Sequence, residues 1–146
     1  LLVESNIAHA ALDLDWLGVM HPPQARYGEG ILFTNLAAVW PHYRGAGARR
    51  LLIARVVEDR AELRHYRQAV PGAEIVVCRL RASVETMANR LRTREPGMFQ
   101  SQALARSREL EAILNSTGVE DFIVDNDGDR PVTEVAREVL TRAGWL

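Results

Sequence analysis

A chain of 146 residues is long enough to bury its own core, and 47% hydrophobic with 25% charged residues is the balance of a globular domain. A net charge of -1 gives no whole-chain attraction to nucleic acid or an anionic membrane, no apolar run approaches the roughly 18 residues of a bilayer span, and the N-terminus lacks a basic-then-apolar signal pattern. One cysteine, Cys78, excludes an internal disulfide or a thiolate cluster and points to a reducing cytoplasm, while all 18 basic residues are arginine, so this chain supplies no lysine chemistry.

In chain order, Leu1, Leu2 and Val3 precede an Asn6 suited to close a helix in the left-handed conformation. Ile7 to Leu14 reads as a strand, and Asp13 and Asp15 stand two apart at its end, on one shared face if the extended backbone continues. Two like charges held there need a cation, a metal ion or a bound substrate as compensation. Asn35 to Arg44 has helical spacing, with Leu36, Val39, Trp40 and Tyr43 on one face and Pro41 as an expected kink or break. The run RRLLIARVV (Arg49 to Val57) has the continuous apolarity of a strand buried on both faces.

EDRAELRHYRQAV follows as a helix ending at Pro71 and Gly72, and Ala73 to Leu80 is the next strand. A helix capped by Ser83 runs to an interruption at Pro96 and Gly97, and a polar-faced helix spans Ser101 to Ser116. Asp121 to Asp127 forms a last strand, and a final helix runs from Pro131 to about Arg142. Near-continuously apolar strands alternating with helices predict one α/β domain over 1–146, a parallel sheet with helices on both faces. Ligands of such sheets bind beyond the carboxyl ends of the strands, where Asp13, Asp15, Asp125 and Asp127 all lie.

Short matches along nearly the whole chain resemble the small-molecule kinases of the P-loop superfamily, nearest to the gluconate kinase and adenylylsulfate kinase branches. LDLDWLGVMHP is similar to their aspartate-x-aspartate segment, and RAELRHYRQAVPGAEIVVCRL to their arginine-bearing helix and next strand. RLRTREPGMFQSQALARSRELE resembles the lid, about residues 94–101 here, although Met98 stands where gluconate kinases tend to carry a histidine. VDNDGDRPVTEVAREVL resembles the loop and helix that hold adenine. The family's glycine-rich phosphate loop, with its lysine, belongs upstream of Asp13. The expectation is therefore that the first strand and this loop, about two dozen residues by typical element lengths, are missing from the chain.

The resemblance implies ATP and Mg2+ as cofactors, a small hydroxylated molecule as acceptor and phosphoryl transfer as the reaction. Asp13 and Asp15 would orient or deprotonate the acceptor hydroxyl, with Asp15 indirectly holding the metal shell. Trp16 would line the acceptor pocket, and Arg60, Arg64 and Arg67 would bind an anionic acceptor. Arg90 and Arg94, four apart on one helix face, would neutralise the transferring phosphate, and Gly128, Arg130 and Pro131 would form the adenine-side loop. A sheet without its central strand would expose backbone and apolar surface, so self-association into a homo-oligomer is expected.

Plainer readings stand beside these. The aspartates can be turn caps, the arginines a solvated helix face, and Trp16, Trp40, Tyr43 and Cys78 core residues; His9, His21, His42 and His65 lack metal-ligand spacing. ALDLDW also fits a haloacid-dehalogenase-type phosphatase, with Asp13 as nucleophile, Asp15 as acid/base and Asp125 or Asp127 completing a magnesium site. Leu17 stands where that motif carries Thr or Val. A third alternative is a non-catalytic remnant that binds a nucleotide or a protein.

Overall fold

Leu1 to Asn6 form a tight turn closed by two backbone bonds, Ile7 N–H to Leu2 O and Asn6 N–H to Val3 O, with Asn6 in the left-handed region at φ 53°. This paired bonding is how a helical turn is stopped when Asn or Gly follows it. The computed structural model to which this turn belongs describes residues 1–22, 29–94, 97–128 and 130–146. The chain divides into two compact units, Leu1–Ile75 and Val76–Leu146. Both are α/β with a two-stranded parallel sheet, so the parallel pairing expected from the sequence is present as two small sheets.

The first unit contains β1 (His9–Asp13), a 3-10 turn (Leu14–Gly18), α1 (Glu29–Gly45), β2 (Arg50–Ala54), a second 3-10 turn (Arg60–Glu62) and α2 (Leu63–Ala69). β1 and β2 pair in register from His9 with Arg50 to Asp13 with Ala54. Their inward face carries Ala10, Leu12, Leu51 and Ile53, and the core beside it is Leu14, Leu32, Phe33, Leu36, Leu63 and Tyr66. Phe33 is the aromatic hub, stacked on His65 and edge-on to Tyr66.

Three expectations change here. β2 is shorter than Arg49 to Val57 and covered on one face only: Arg50, Leu52 and Ala54 are exposed, Leu52 at 43%. Apolar continuity records a strand's composition, whereas the neighbouring helices decide which faces are covered. Pro41 lies inside α1 without ending it, because the helix continues to Gly45 and is closed by Gly47 at φ 105°. The helix expected from Glu58 begins instead as the 3-10 turn, since the Asp59 carboxylate accepts the Ala61 N–H at 2.8 Å and leaves Asp59 itself extended.

The second unit contains β3 (Cys78–Arg81), α3 (Val84–Arg94), a 3-10 turn (Gly97–Phe99), α4 (Gln100–Thr117), β4 (Phe122–Asp125) and α5 (Val132–Arg142). β3 and β4 pair from Cys78 with Phe122 to Arg81 with Asp125. The ladder begins at Cys78, later than Ala73, because Val77 marks its start: its N–H donates to the Asp121 carboxylate and its carbonyl accepts from Asp121 N–H. Ser83 caps α3 as expected, its Oγ accepting the Thr86 N–H at 3.2 Å. α4 ends at Gly118, whose φ of 51° supplies the left-handed residue. Cys78 is half-buried rather than fully within the core, and its burial pushes the thiol pKa up.

Each two-stranded sheet keeps an open edge among the described residues, with Val56 exposed beyond β2 and Leu80 exposed on β3. The fully buried Leu36 joins α1 to the first core. Leu36→Ala is expected to lower stability by about 2–5 kcal/mol, whereas Leu52→Ala is expected to change it by much less. Urea unfolding followed by far-UV circular dichroism measures both.

Candidate functional site

The end of β1 answers what compensates Asp13 and Asp15. The strand stops at Asp13, so the two carboxylates do not share a strand face. Asp13 caps the 3-10 turn, its Oδ1 accepting the Asp15 N–H at 3.2 Å, as short acidic side chains do when they draw backbone out of a ladder. The turn is tied to α1 through Asn35, whose Nδ2 donates to Leu17 O at 2.7 Å. Asp15 projects from this turn with its side chain 70% exposed, and Arg55, the residue after β2, donates to its Oδ1 at 2.9 Å.

The Arg55 side chain is only 10% exposed and also donates through Nε to Glu62 Oε1 at 3.4 Å. Glu62 is 12% exposed and its other oxygen accepts the Glu58 N–H at 3.4 Å. Tyr66, one turn further along α2, is 6% exposed, and its hydroxyl is buried without a hydrogen-bond partner. Burial foremost, then the negative charge of Glu62, raises the phenol's pKa far above the ordinary tyrosine value. A largely covered arginine thus bridges an exposed carboxylate and a largely covered one at the carboxyl ends of two adjacent parallel strands.

Arg55, Glu62 and Tyr66 are the residues that the linear reading passed over. Their signal was present: Arg55 is the one charge within the apolar run Leu51 to Val57. Of the expected acceptor residues, Trp16 is not core, its side chain standing in solvent at 74% exposure beside Asp15. Tyr43 is likewise partly exposed, and Trp40 helps line a separate groove of about 320 Å3 with Pro41, Arg44 and Gln68. Arg60 opens the second 3-10 turn; Arg64 and Arg67 are exposed on α2, whose buried side is formed by Leu63, Tyr66 and Ala69.

In the second unit the expected residues serve the loop after β4. Arg81 pairs with the Asp125 carboxylate at 2.9 Å, and Arg90 donates to Asn126 O at 2.9 Å. Asp127 accepts from Ser83 Oγ at 3.0 Å, and Gly128 follows at φ 59°. A hydrogen bond from Thr86 foremost, with others from Ser83 and Gly128, pulls the Asp127 pKa down to about 2 against an opposing desolvation. Arg130 donates to Asp125 O at 2.8 Å and to Glu138 at 2.6 Å, and Pro131 caps α5. Arg94 is the last residue of α3; the expected lid continues as the Gly97–Phe99 turn with Met98 and Phe99 exposed, while Glu95 and Pro96 lie outside the described residues, as does Pro23 after His21.

Among the described residues no group of three His, Cys, Asp or Glu side chains is arranged to hold a metal ion. Asp13 and Asp15 each have one oxygen engaged, by a backbone N–H and by Arg55. No described helix is long and apolar enough to cross a membrane. A scan against protein-family models finds no match, and searches of curated proteins and of solved structures find none either.

Arg55→Ala removes the guanidinium from both Asp15 and Glu62 and is expected to destabilise the first unit by about 1.5–3 kcal/mol, measured by chemical denaturation. Tyr66 has its pKa raised on folding, so its stabilisation is present below about pH 10 and lost as pH rises above it. Alkaline denaturation is expected to begin at a higher pH in Tyr66→Phe. Asp127 has its pKa lowered, so its contribution is present at neutral pH and lost as pH falls through about 4 towards 2. Asp127→Asn is expected to flatten the acid dependence of melting over that window.

Proposed function

We propose that this chain carries the acceptor side of a P-loop kinase-like phosphoryl transferase, which moves the γ-phosphoryl group of ATP to a hydroxyl of a small molecule. The observation that carries the reading is the Asp15–Arg55 pair at the carboxyl ends of β1 and β2. An exposed carboxylate whose orientation is set by a largely covered, doubly bonded arginine suits a group that must meet a hydroxyl in one geometry. Asp15 Oδ2 accepts the acceptor's hydroxyl proton as the oxygen attacks the γ-phosphorus and ADP leaves, and Arg55 holds the carboxylate in place. Asp13 holds the turn, and Trp16 offers an apolar wall beside Asp15.

Arg90 and Arg94 remain the proposed donor-side pair, with Gly128, Arg130 and Pro131 as the nucleotide loop. Arg90 already fixes the backbone of that loop through Asn126, which suits a residue that shapes a binding edge. The phosphate cradle is not supplied by the residues of this chain, which holds no lysine. The reading therefore concerns the protein as its own source makes it.

The test is transfer from radiolabelled ATP to a panel of hydroxylated small molecules by that protein, beside release of phosphate from phosphorylated small molecules. Transfer that falls about 100-fold or more in kcat in Asp15→Asn, with little change in KM, supports the reading. Phosphate release without ATP would instead favour the phosphatase, and nucleotide binding without either activity a binding remnant.

A further inference from the structure

We infer that the groove between α1 and α2 is a binding site for a small planar aromatic carboxylate, sharing no residue with the β1–β2 strand end. Most of its lining is apolar, with Ala37, Trp40 and Pro41 from α1 and Ala69 and Pro71 from the end of α2. Its volume of about 320 Å3 suits a small ligand, and such sites add to an apolar lining a few polar groups that fix orientation. Arg44 and Gln68 are those groups here, one from each helix. Neither side chain has a hydrogen bond or ion pair among the described residues. The carbonyls of His42, Tyr43 and Arg44, which end α1, accept from the N–H groups of Ala46, Ala48 and Gly47. The Arg44 guanidinium is therefore not spent on closing its own helix.

Charge selects the sign of the ligand. Among the described residues none that lines the groove is acidic, and the sequence carries no Asp or Glu from Gly30 to Val57 or within α2. Glu29 opens α1, at the end away from Arg44, and Glu62 before α2 is held by Arg55. Glu74, three residues beyond Pro71, is the nearest acidic residue in sequence, and the exposed Arg67 next to Gln68 stands against it. An ammonium group would meet Arg44 with no carboxylate to receive it. A carboxylate instead gains a charge-assisted bond from Arg44 and a second from the Gln68 amide. The half-buried Trp40, with Pro41 and Pro71, supplies the apolar wall on which an aromatic ring packs.

The probes are 2-naphthoate, its neutral counterpart 2-naphthalenemethanol, and acetate, each titrated into the isotope-labelled full chain. Its three tryptophans give separate indole N–H signals in NMR spectra, and the signal lost in Trp40→Phe is that of Trp40. Naphthoate is expected to shift this signal saturably and to bind about fivefold more tightly than the alcohol, the value of one exposed ion pair. Acetate, which lacks the ring, leaves it unmoved at the same concentrations. Arg44→Gln, at an exposed position, should bring naphthoate down to the level of the alcohol. Ala37→Glu, which places a carboxylate on the exposed lining, should weaken naphthoate more than the alcohol, whereas Glu109→Gln in the second unit changes nothing. Equal binding of naphthoate and alcohol, a saturable shift with acetate, or no saturable shift of Trp40 overturns the inference. So does a preference for naphthoate that survives Arg44→Gln or Ala37→Glu.

Discussion

The first unit depends on how one charge is held largely out of solvent. Arg55 leaves the end of β2 and enters the space over α2, where only a tenth of its side chain remains in solvent. A guanidinium held there needs carboxylates on both sides, since leaving it unpaired would cost several kcal/mol. Glu62 supplies one from the 3-10 turn before α2, and Asp15 the other from the turn after β1. The bridge thus couples three segments that are distant in sequence. It also keeps one exposed carboxylate oriented at the edge where parallel strands end.

The second unit meets a related requirement with exposed groups. The loop after β4 is held by Arg81 on Asp125, Arg90 on Asn126 O, Ser83 on Asp127 and Arg130 on Asp125 O. Each of these bonds is modest in water, and their value is geometric, because together they tie the loop to the start of α3 and to α5. Two strand ends are therefore built by different physics. One has a largely covered ion bridge that reaches an exposed carboxylate, and the other has its charges spent on side chains and backbone of its own loop.

Much of the local structure was legible. Ser83 as a cap, Asn6 in the left-handed region, the end of α4 and the parallel pairing all follow from side-chain chemistry near the backbone concerned. Pro41 shows the limit of such rules, since a helix that has already run for twelve residues absorbs the bond that proline removes. Asp13 and Asp15 show another limit. Their spacing of two implied a common face only while the backbone stayed extended, and the capping bond to Asp15 N–H ended the strand at Asp13.

The sequence by itself determined the alternation of elements, the all-arginine basic set and the presence of carboxylates where β1 ends. These depend on composition and on neighbours within a few positions. Only the tertiary structure decided which face of β2 is covered, that Trp16 stands in solvent, and that Arg55, Glu62 and Tyr66 join Asp15. The pairing of Arg55 with Asp15 spans 40 residues. No periodicity reports a contact of that separation, because it exists only once β1 and β2 lie side by side and the cost of drawing the arginine out of water selects its partners.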